Sequence, residues 1–159
     1  MKLIFCKYDC SHCKNHFKAP ELSGAVYGEF LLRSTASGEI RYLNAFNDSS
    51  YDEVSSLMLT NSAVAALSAV KRANLLQRIY GQVACDRDAN GHAYQLGLHP
   101  TCPTCSTQTM SNWEFTEPPE FIEIDILPVT HLNWSILSNE VKQKLVQEVL
   151  LKTESIIFN

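Results

Sequence analysis

Six cysteines are the residues of this chain with the clearest chemical potential, and four of them form two C-x-x-C pairs. The pairs are Cys10/Cys13, in "FCKYDCSHCKNHF", and Cys102/Cys105, in "HPTCPTC". Zn²⁺ prefers four tetrahedral ligands, and a two-residue gap lets one tight turn direct two thiolates at the same ion. The spacing therefore predicts a structural zinc site with these four cysteines as ligands.

The two pairs are far apart in the chain, with about 90 residues between them, whereas a compact zinc finger separates its pairs by about 15–20 residues. Loop-closure entropy rises only logarithmically with length, so a long insertion is physically allowed. We therefore predict a split zinc ribbon with halves at about 4–18 and 99–116. Metal binding would then contribute to folding, on the order of 10 kcal/mol in small model sites.

Other uses of the thiols stay open. A thioredoxin-like redox pair needs a helix directly after C-x-x-C, which "CSHCKNHF" does not predict. Two unrelated pairs of buried or free cysteines are a further alternative. Cys6 lies close enough in sequence to replace a ligand, and Cys85 is expected to be a buried thiol. His12 and His16 also flank the first pair, and we expect both to be exposed rather than ligands.

Catalytic motifs are mostly excluded. A zinc deaminase needs H-x-E, but Tyr94 stands where the glutamate after His92 should be. The segment "DRDANG" begins like a calcium loop, but Gly97 occupies the position of the bidentate acid, so a polar turn is expected. A closed four-cysteine site leaves no coordination position for substrate, which predicts a protein that is not an enzyme. The alternative is an enzyme with Cys85 as nucleophile and His92 or His99 as base.

Bulk properties predict one soluble domain spanning residues 1–159. The chain is 45% hydrophobic and 19% charged, as is typical of a globular protein. Its apolar stretches are shorter than the ~20 residues of a membrane helix. Cys6, Lys7 and Asp9 interrupt "MKLIF" before a signal-peptide core can form. We therefore expect a cytoplasmic protein without membrane association, where paired cysteines favour metal or redox chemistry over disulfides.

The chain has a net charge of −4, and its charged residues are distributed unevenly along the sequence. No lysine or arginine occurs from Asp88 to Val141. This acidic tract is either a solvated face or a docking surface for a basic partner, and it would repel nucleic acid. On the second interpretation, the predicted partner-binding residues are Glu114, Glu117, Glu120, Glu123 and Asp125. The neighbouring aromatic residues are expected to pack in the core, although they could also bind the partner: Trp113, Phe115 and Phe121.

The first half of the chain predicts strands followed by helices. "LIFCKY" alternates like a short strand, and "AVYGEFLLRS" and "EIRYLNAF" flank "TASG" as a β-hairpin with Gly38 in its turn. A central helical segment covers about 49–80. It forms one kinked helix or two, because Asp48 or Ser50 can begin the first part and Asn61 or Ser62 the second. Gly81 is expected to end it.

The second half predicts more antiparallel strands and a last helix. "QVACDRDANGHAYQLGLH" has the pattern of a hairpin with Asn90-Gly91 as its turn. "NWEFT" and "EFIEIDIL" alternate as strands, with Ile122, Ile124 and Ile126 directed at the core. A helix begins at about Ser138, and Val141, Leu145 and Val149 form its apolar face. The predicted fold class is α+β: one domain with a split zinc ribbon flanked by antiparallel hairpins, a central helical segment and a C-terminal helix.

Several segments resemble those of small bacterial proteins that embed a split zinc ribbon in an α+β domain. These segments are "MKLIFC", the late "CPTC", "EFTEPPE" and "PVTHLNWSILSNEVKQKLV". In this respect the chain resembles immunity proteins of polymorphic-toxin systems. The resemblance implies a cytoplasmic antitoxin that binds a cognate toxin with a basic surface, and it assigns no site residue beyond the four cysteines. The alternative is a nucleic-acid-binding zinc ribbon, which the N-terminal lysines favour: Lys7, Lys14 and Lys18.

Overall fold

Two antiparallel sheets organise the protein. A computed structural model describes residues 1–24 and 27–157. The first sheet, here called the ribbon sheet, has the order β2-β1-β6, and β7 pairs with the other end of β1. The second, here called the core sheet, has the order β4-β3-β5. The strands are β1 (Lys2–Cys10), β2 (His16–Leu22), β3 (Glu29–Ser34), β4 (Ile40–Asn44), β5 (Tyr94–Leu96), β6 (Met110–Phe115) and β7 (Phe121–Glu123).

Helices complete an α+β domain, as the sequence predicts. They are α1 (Ser49–Met58), α2 (Ser62–Ala65), α3 (Ala69–Val83), α4 (Leu132–Ser135) and α5 (Asn139–Ile157). The central segment is three helices rather than one or two. Asp48, Asn61 and Ser68 each accept a hydrogen bond from a backbone N–H at a helix start, and of these three caps only Ser68 was not predicted. No described helix is both long and apolar enough to cross a membrane.

Gly81 has a different role from the predicted one. It does not end the helix, because α3 continues to Val83. A Cβ atom at Gly81 would lie 2.1 Å from the carbonyl oxygen of Tyr94 in β5. Glycine is therefore needed here for close packing of α3 on the core sheet, and the prediction of a helix terminator was wrong.

The predicted hairpin around Asn90-Gly91 is also wrong in its first half. Its first residues belong to α3, and its last strand, β5, pairs with β3 instead. The buried Asp88 carboxylate shapes the turn, because it accepts backbone N–H groups from Asn90 at 2.9 Å and His92 at 2.8 Å. It also accepts hydrogen bonds from the hydroxyl groups of Ser34 and Ser37, both at 2.7 Å. The segment "DRDANG" is thus a polar turn, and hydrogen-bond donors of the protein surround its Asp88 carboxylate.

The β3–β4 hairpin agrees with the prediction, with Leu32 opposite Arg41. The predicted first strand began at residues 25–26, which lie outside the described residues. In the "EFIEIDIL" segment the isoleucines are half-buried and alternate with exposed acids, but the strand itself covers only Phe121–Glu123. Over residues 139–153 of α5, whose burial is described, the buried residues are Lys142, Val146 and Leu150, so the buried face is centred one position later than predicted.

The main hydrophobic core lies between the core sheet and the helices. Its fully buried members come from every layer: Leu32, Leu43, Val54, Met58, Val64, Ile79, Tyr80, Ala84, Val146 and Leu150. A second, smaller cluster in the ribbon sheet contains Cys6, Tyr8 and Ala19. The buried Arg33 side chain joins the two sheets, since it lies 2.6 Å from the Glu21 carboxylate and also donates to the carbonyl of Pro20.

A half-buried histidine links the helical layer to the loop before α4. His131 Nδ1 lies 2.7 Å from the carbonyl oxygen of Ala84, and Nε2 lies 2.8 Å from the Asp48 carboxylate. Both partners are acceptors, so the protonated ring can donate to both at once. Burial lowers the pKa of His131, but the bonds to Asp48 and Ala84 outweigh burial and raise it above its usual value.

The raised pKa of His131 predicts a pH-dependent stability. The protonated His131 ring stabilises the folded state. This stabilisation is complete below the pKa of the unfolded chain, near 6.5, and is lost as the pH rises through the higher pKa of the folded protein. We expect the unfolding free energy of the wild type to fall more steeply than that of His131→Gln between about pH 6 and pH 9. Denaturant titrations at both pH values measure this. The exposed His12→Gln variant should behave like wild type, and equal slopes for all three proteins would contradict the prediction.

Candidate metal centre

The four paired cysteines converge in space. The Sγ atoms of Cys10, Cys13, Cys102 and Cys105 all lie within 4.8 Å of one another. Cys10 Sγ is 3.6 Å from Cys105 Sγ, and Cys13 Sγ is 3.6 Å from Cys102 Sγ. A tetrahedron with metal–sulfur bonds of about 2.3 Å has sulfur–sulfur edges of about 3.8 Å. The cluster therefore has the size and the donors to hold one metal ion.

The two C-x-x-C turns, here called knuckles, share one backbone pattern. In the first, Lys14 N–H donates to the carbonyl of Cys10 at 3.1 Å, and in the second Ser106 N–H donates to that of Cys102 at 2.9 Å. The N–H group of each leading cysteine then donates to a carbonyl five residues later, at 2.9 Å and 2.8 Å. Two segments of unrelated sequence thus form the same turn, which directs both sulfurs of each pair to one side.

Each knuckle ends on a residue with left-handed backbone geometry. Lys14 has φ 61° and Ser106 has φ 60°, and among the described residues these are the non-glycine positions with positive φ. This conformation costs a side-chain-bearing residue roughly 1–2 kcal/mol. In both knuckles the left-handed residue directly follows the second cysteine of the C-x-x-C pair. Its position could therefore have been predicted from the sequence.

Strand pairing brings the knuckles together. The first knuckle joins β1 to β2, and the second precedes β6, which pairs with β1 so that Cys10 lies opposite Met110. Ser11 also reaches the carbonyl oxygen of Thr109, with its backbone N–H at 3.1 Å and its hydroxyl at 2.9 Å. Protein hydrogen bonds therefore fix the relative position of the two halves.

Backbone donors favour the thiolate form at two of the four sulfurs. The N–H of Cys13 lies 3.5 Å from Cys10 Sγ and is the main cause of the lowered pKa of Cys10. Burial raises the pKa of Cys102, but N–H groups of Cys105 and Thr104 outweigh it and lower that pKa to about 6. Thiolates are the form that binds metals.

Cys13 shows the opposite shift. A hydrogen bond from Asn15 lowers its pKa, but burial and the neighbouring sulfurs outweigh that bond and raise the pKa to about 12. The cause is that several negative sulfurs cannot share so small a volume without a cation. A bound metal ion would supply the missing positive charge.

The other candidate ligands lie outside the cluster. Cys6 precedes Cys10 by four strand residues, or about 13 Å at the rise of a β-strand. It is buried beside Tyr8, and burial raises its pKa to about 11. His16 Nδ1 lies 2.6 Å from the Asp9 carboxylate, and His12 is exposed.

Cys85 is a buried thiol, as expected. Burial raises its pKa to about 12, which favours the neutral form. The two histidines suggested as its partner have other neighbours. His92 Nδ1 lies 3.4 Å from Asp88, and the His99 ring packs edge-on against Tyr8 with centroids 5.9 Å apart.

The predicted acidic residues are all exposed, but some of them face the basic N-terminal strands. Glu114 lies 3.7 Å from Lys7, and Glu120 lies 2.6 Å from Lys18. Glu123 stands opposite Lys2 in the β1–β7 ladder. Glu117 and Asp125 are the remaining members, and both are exposed.

The aromatic residues beside these acids do not pack in the core. Trp113 and Phe115 are each 50% exposed, and Phe121 is 49% exposed. The expectation of core packing was therefore wrong. The physical reason is that, among the described strands, β6 and β7 each pair with β1 alone and so lie at the edge of the ribbon sheet.

Comparisons of the chain with models of known protein families, with curated proteins and with solved structures gave no match. The resemblance to immunity proteins therefore stays a prediction. The metal centre and the exposed strands are the features from which a function can be argued.

The left-handed residues of the knuckles allow a test of this geometry. Ser106→Gly should raise the free energy of unfolding by about 0.5–1 kcal/mol, because the relief of left-handed strain exceeds the entropic cost of glycine. Chemical denaturation measures it. Lys71→Gly, in the first turn of the right-handed helix α3, should instead lower the stability by a similar amount. Destabilisation by both changes would contradict the geometry of the second knuckle.

Proposed function

We propose that the four cysteines hold a structural Zn²⁺ ion. The observation that supports this is the convergence of four sulfurs, two pairs at 3.6 Å, from two knuckles with the same backbone pattern. Thiolates are soft ligands that suit zinc rather than calcium or magnesium. Because four protein ligands complete a tetrahedron, the metal would have no position for substrate, and its role would be structural.

Bound zinc would connect distant parts of the chain. Cys10 ends β1 and Cys13 lies between β1 and β2, whereas Cys102 and Cys105 precede β6. The ion would therefore join the two ends of the insertion that contains the core sheet and the helices α1 to α3. It would also neutralise the clustered sulfur charges that now raise the pKa of Cys13.

Metal analysis tests the zinc proposal. We expect one zinc per purified chain, and loss of zinc from Cys13→Ser/Cys105→Ser with a fall in stability of several kcal/mol. Elemental analysis and thermal unfolding measure these quantities. Cys6→Ala is the matched control, since Cys6 lies outside the cluster and its variant should keep the metal. Stoichiometric zinc in the double variant, or iron in the wild type, would refute the proposal.

We further propose that the protein is a non-enzymatic binding protein, an immunity protein that neutralises a cognate toxin by contact. The exposed acids of the β6–β7 region would steer a basic partner, and its half-exposed aromatic rings would supply affinity. The resemblance of several segments to immunity proteins agrees with this role. The first candidate for the partner is a toxin domain encoded immediately beside the gene.

The charge arrangement disfavours the nucleic-acid alternative. Lys7 and Lys18 are paired with Glu114 and Glu120, so these cations are already partly neutralised. Phosphate binding at this face would also bring the nucleic acid close to the remaining exposed acids.

Charge reversal tests the docking surface. Glu117→Lys/Glu123→Lys should weaken binding to the toxin at least tenfold, because it replaces attraction for a basic surface by repulsion. Calorimetry and rescue of growth in cells that express the toxin measure the effect. Asp52→Lys/Glu148→Lys makes the same change in net charge on exposed residues of α1 and α5. Equal weakening by both pairs, or by neither, would show that the β6–β7 region is not the docking surface.

A further inference from the structure

Strand β6 forms an open edge of the ribbon sheet. Among the residues that the structure describes, β1 is the strand that pairs with β6, and no other strand covers its second side. Thr116 N–H donates to the carbonyl of Phe5 in β1 at 3.1 Å. Because alternate residues of an antiparallel strand face the same neighbour, Asn112 and Glu114 also direct their backbone groups at β1. Trp113 and Phe115 therefore direct theirs away from the sheet, whereas Ser111 lies in a β-bulge that interrupts the alternation.

Two aromatic rings stand beside this edge. Trp113 lies opposite Tyr8 and Phe115 opposite Cys6, so both rings share the face that turns toward the core sheet. They are half exposed, with centroids 5.9 Å apart. Together with Tyr8, Leu98 and His99 they line a cavity of about 290 Å³. An apolar side chain on an added strand could enter this cavity.

The other face of β6 has a different chemistry. Glu114 lies on this face and is exposed, and its contact with Lys7 is long at 3.7 Å. β6 itself contains no lysine or proline, the residues that often prevent strand addition at natural edges. The edge is thus apolar on one face, carries the Glu114 carboxylate on the other, and is open along its backbone at Trp113 and Phe115.

We propose that β6 accepts an extended segment of the partner protein as an additional strand. Apolar side chains of that segment would lie against Trp113 and Phe115, and alternate lysine or arginine side chains would lie beside Glu114. Backbone hydrogen bonds to β6 would supply affinity, and the side-chain pattern would supply specificity. This inference rests on the proposed function, since it states how the partner would be bound.

A second copy of the chain fits this edge less well. Pairing β6 with itself would place two Glu114 carboxylates on one face of the joined sheet and would join two chains that each carry a net charge of −4. Like charges that face one another across paired strands are destabilising. A basic strand from another protein is the complementary occupant.

A synthetic peptide tests strand addition directly. The probe is the acetylated heptapeptide Lys-Val-Lys-Tyr-Lys-Val-Lys, titrated into the ¹⁵N-labelled protein. We expect shifts in the amide signals of Trp113 and Phe115. Two control peptides carry backbone N-methyl groups, one on the lysines and one on the apolar residues. Because an added strand uses only one of its edges, one control should bind at least tenfold more weakly and the other should bind normally. Equal binding of all three peptides would overturn the proposal.

Protein variants locate the site. Trp113→Lys should reduce peptide binding at least tenfold, because it adds a cation and removes an anchor. Ile136→Lys is the matched control, since Ile136 is 81% exposed and lies after α4. Phe115→Ser gives a second, uncharged test if Trp113→Lys unfolds. Normal peptide binding to folded Trp113→Lys or to Phe115→Ser would overturn the proposal, as would a wild-type dimer that Trp113→Lys dissociates.

The toxin experiment separates this inference from the function on which it rests. A toxin that binds the wild type, responds to Glu117→Lys/Glu123→Lys and ignores Trp113→Lys would leave the immunity role intact and refute strand addition. Absence of any toxin binding would refute the immunity role, whatever the peptide result.

Discussion

The pairing of β1 with β6 is the interaction on which the rest of the structure depends. It joins residues more than 100 positions apart, such as Lys7 and Glu114, and places the second knuckle beside the first. Without this ladder the four sulfurs would belong to two separate turns. With it, the hydrogen bonds of Ser11 to Thr109 complete a site in which all four sulfurs lie within 4.8 Å.

Buried polar contacts attach this ribbon to the helical core. Arg33 of the core sheet lies 2.6 Å from Glu21 of the ribbon sheet, and it also donates to carbonyls on both sides of the junction. Asp88 is enclosed by donors in the same way. A buried charge without such partners would be strongly destabilising, so these contacts specify how the sheets meet. These contacts thereby fix the position of the smaller ribbon-sheet cluster relative to the main hydrophobic core.

Structure and binding chemistry are separated within the ribbon. The sulfur cluster would stabilise one end of β1, whereas the exposed aromatic rings and acids lie along β6 and β7 on the same sheet. A metal-stabilised strand is a rigid platform, and rigid edges bind extended segments with a smaller loss of conformational entropy. Under the proposed function, the metal would therefore contribute to partner recognition without touching the partner.

The sequence by itself determined the local features, because these depend on spacing and on a few neighbouring residues. The two C-x-x-C pairs, the β3–β4 hairpin and the α+β class could all be derived from it. The helix boundaries were harder to predict from the sequence. Ser68 adds a cap that divides the central segment, and Gly81 serves a close contact with β5 rather than a helix end. Such contacts involve residues distant in sequence, which periodicity cannot show.

Only the tertiary structure decided which surfaces are covered. Trp113, Phe115 and Phe121 are apolar like core residues, but their strands lie at the edge of the sheet and leave the rings about half exposed. The acids beside them form a surface that is partly paired with lysines of β1 and β2. Burial depends on which elements pack against a strand, and that choice is made by the whole chain, whereas the chemistry of the thiols depends on residue type and spacing alone.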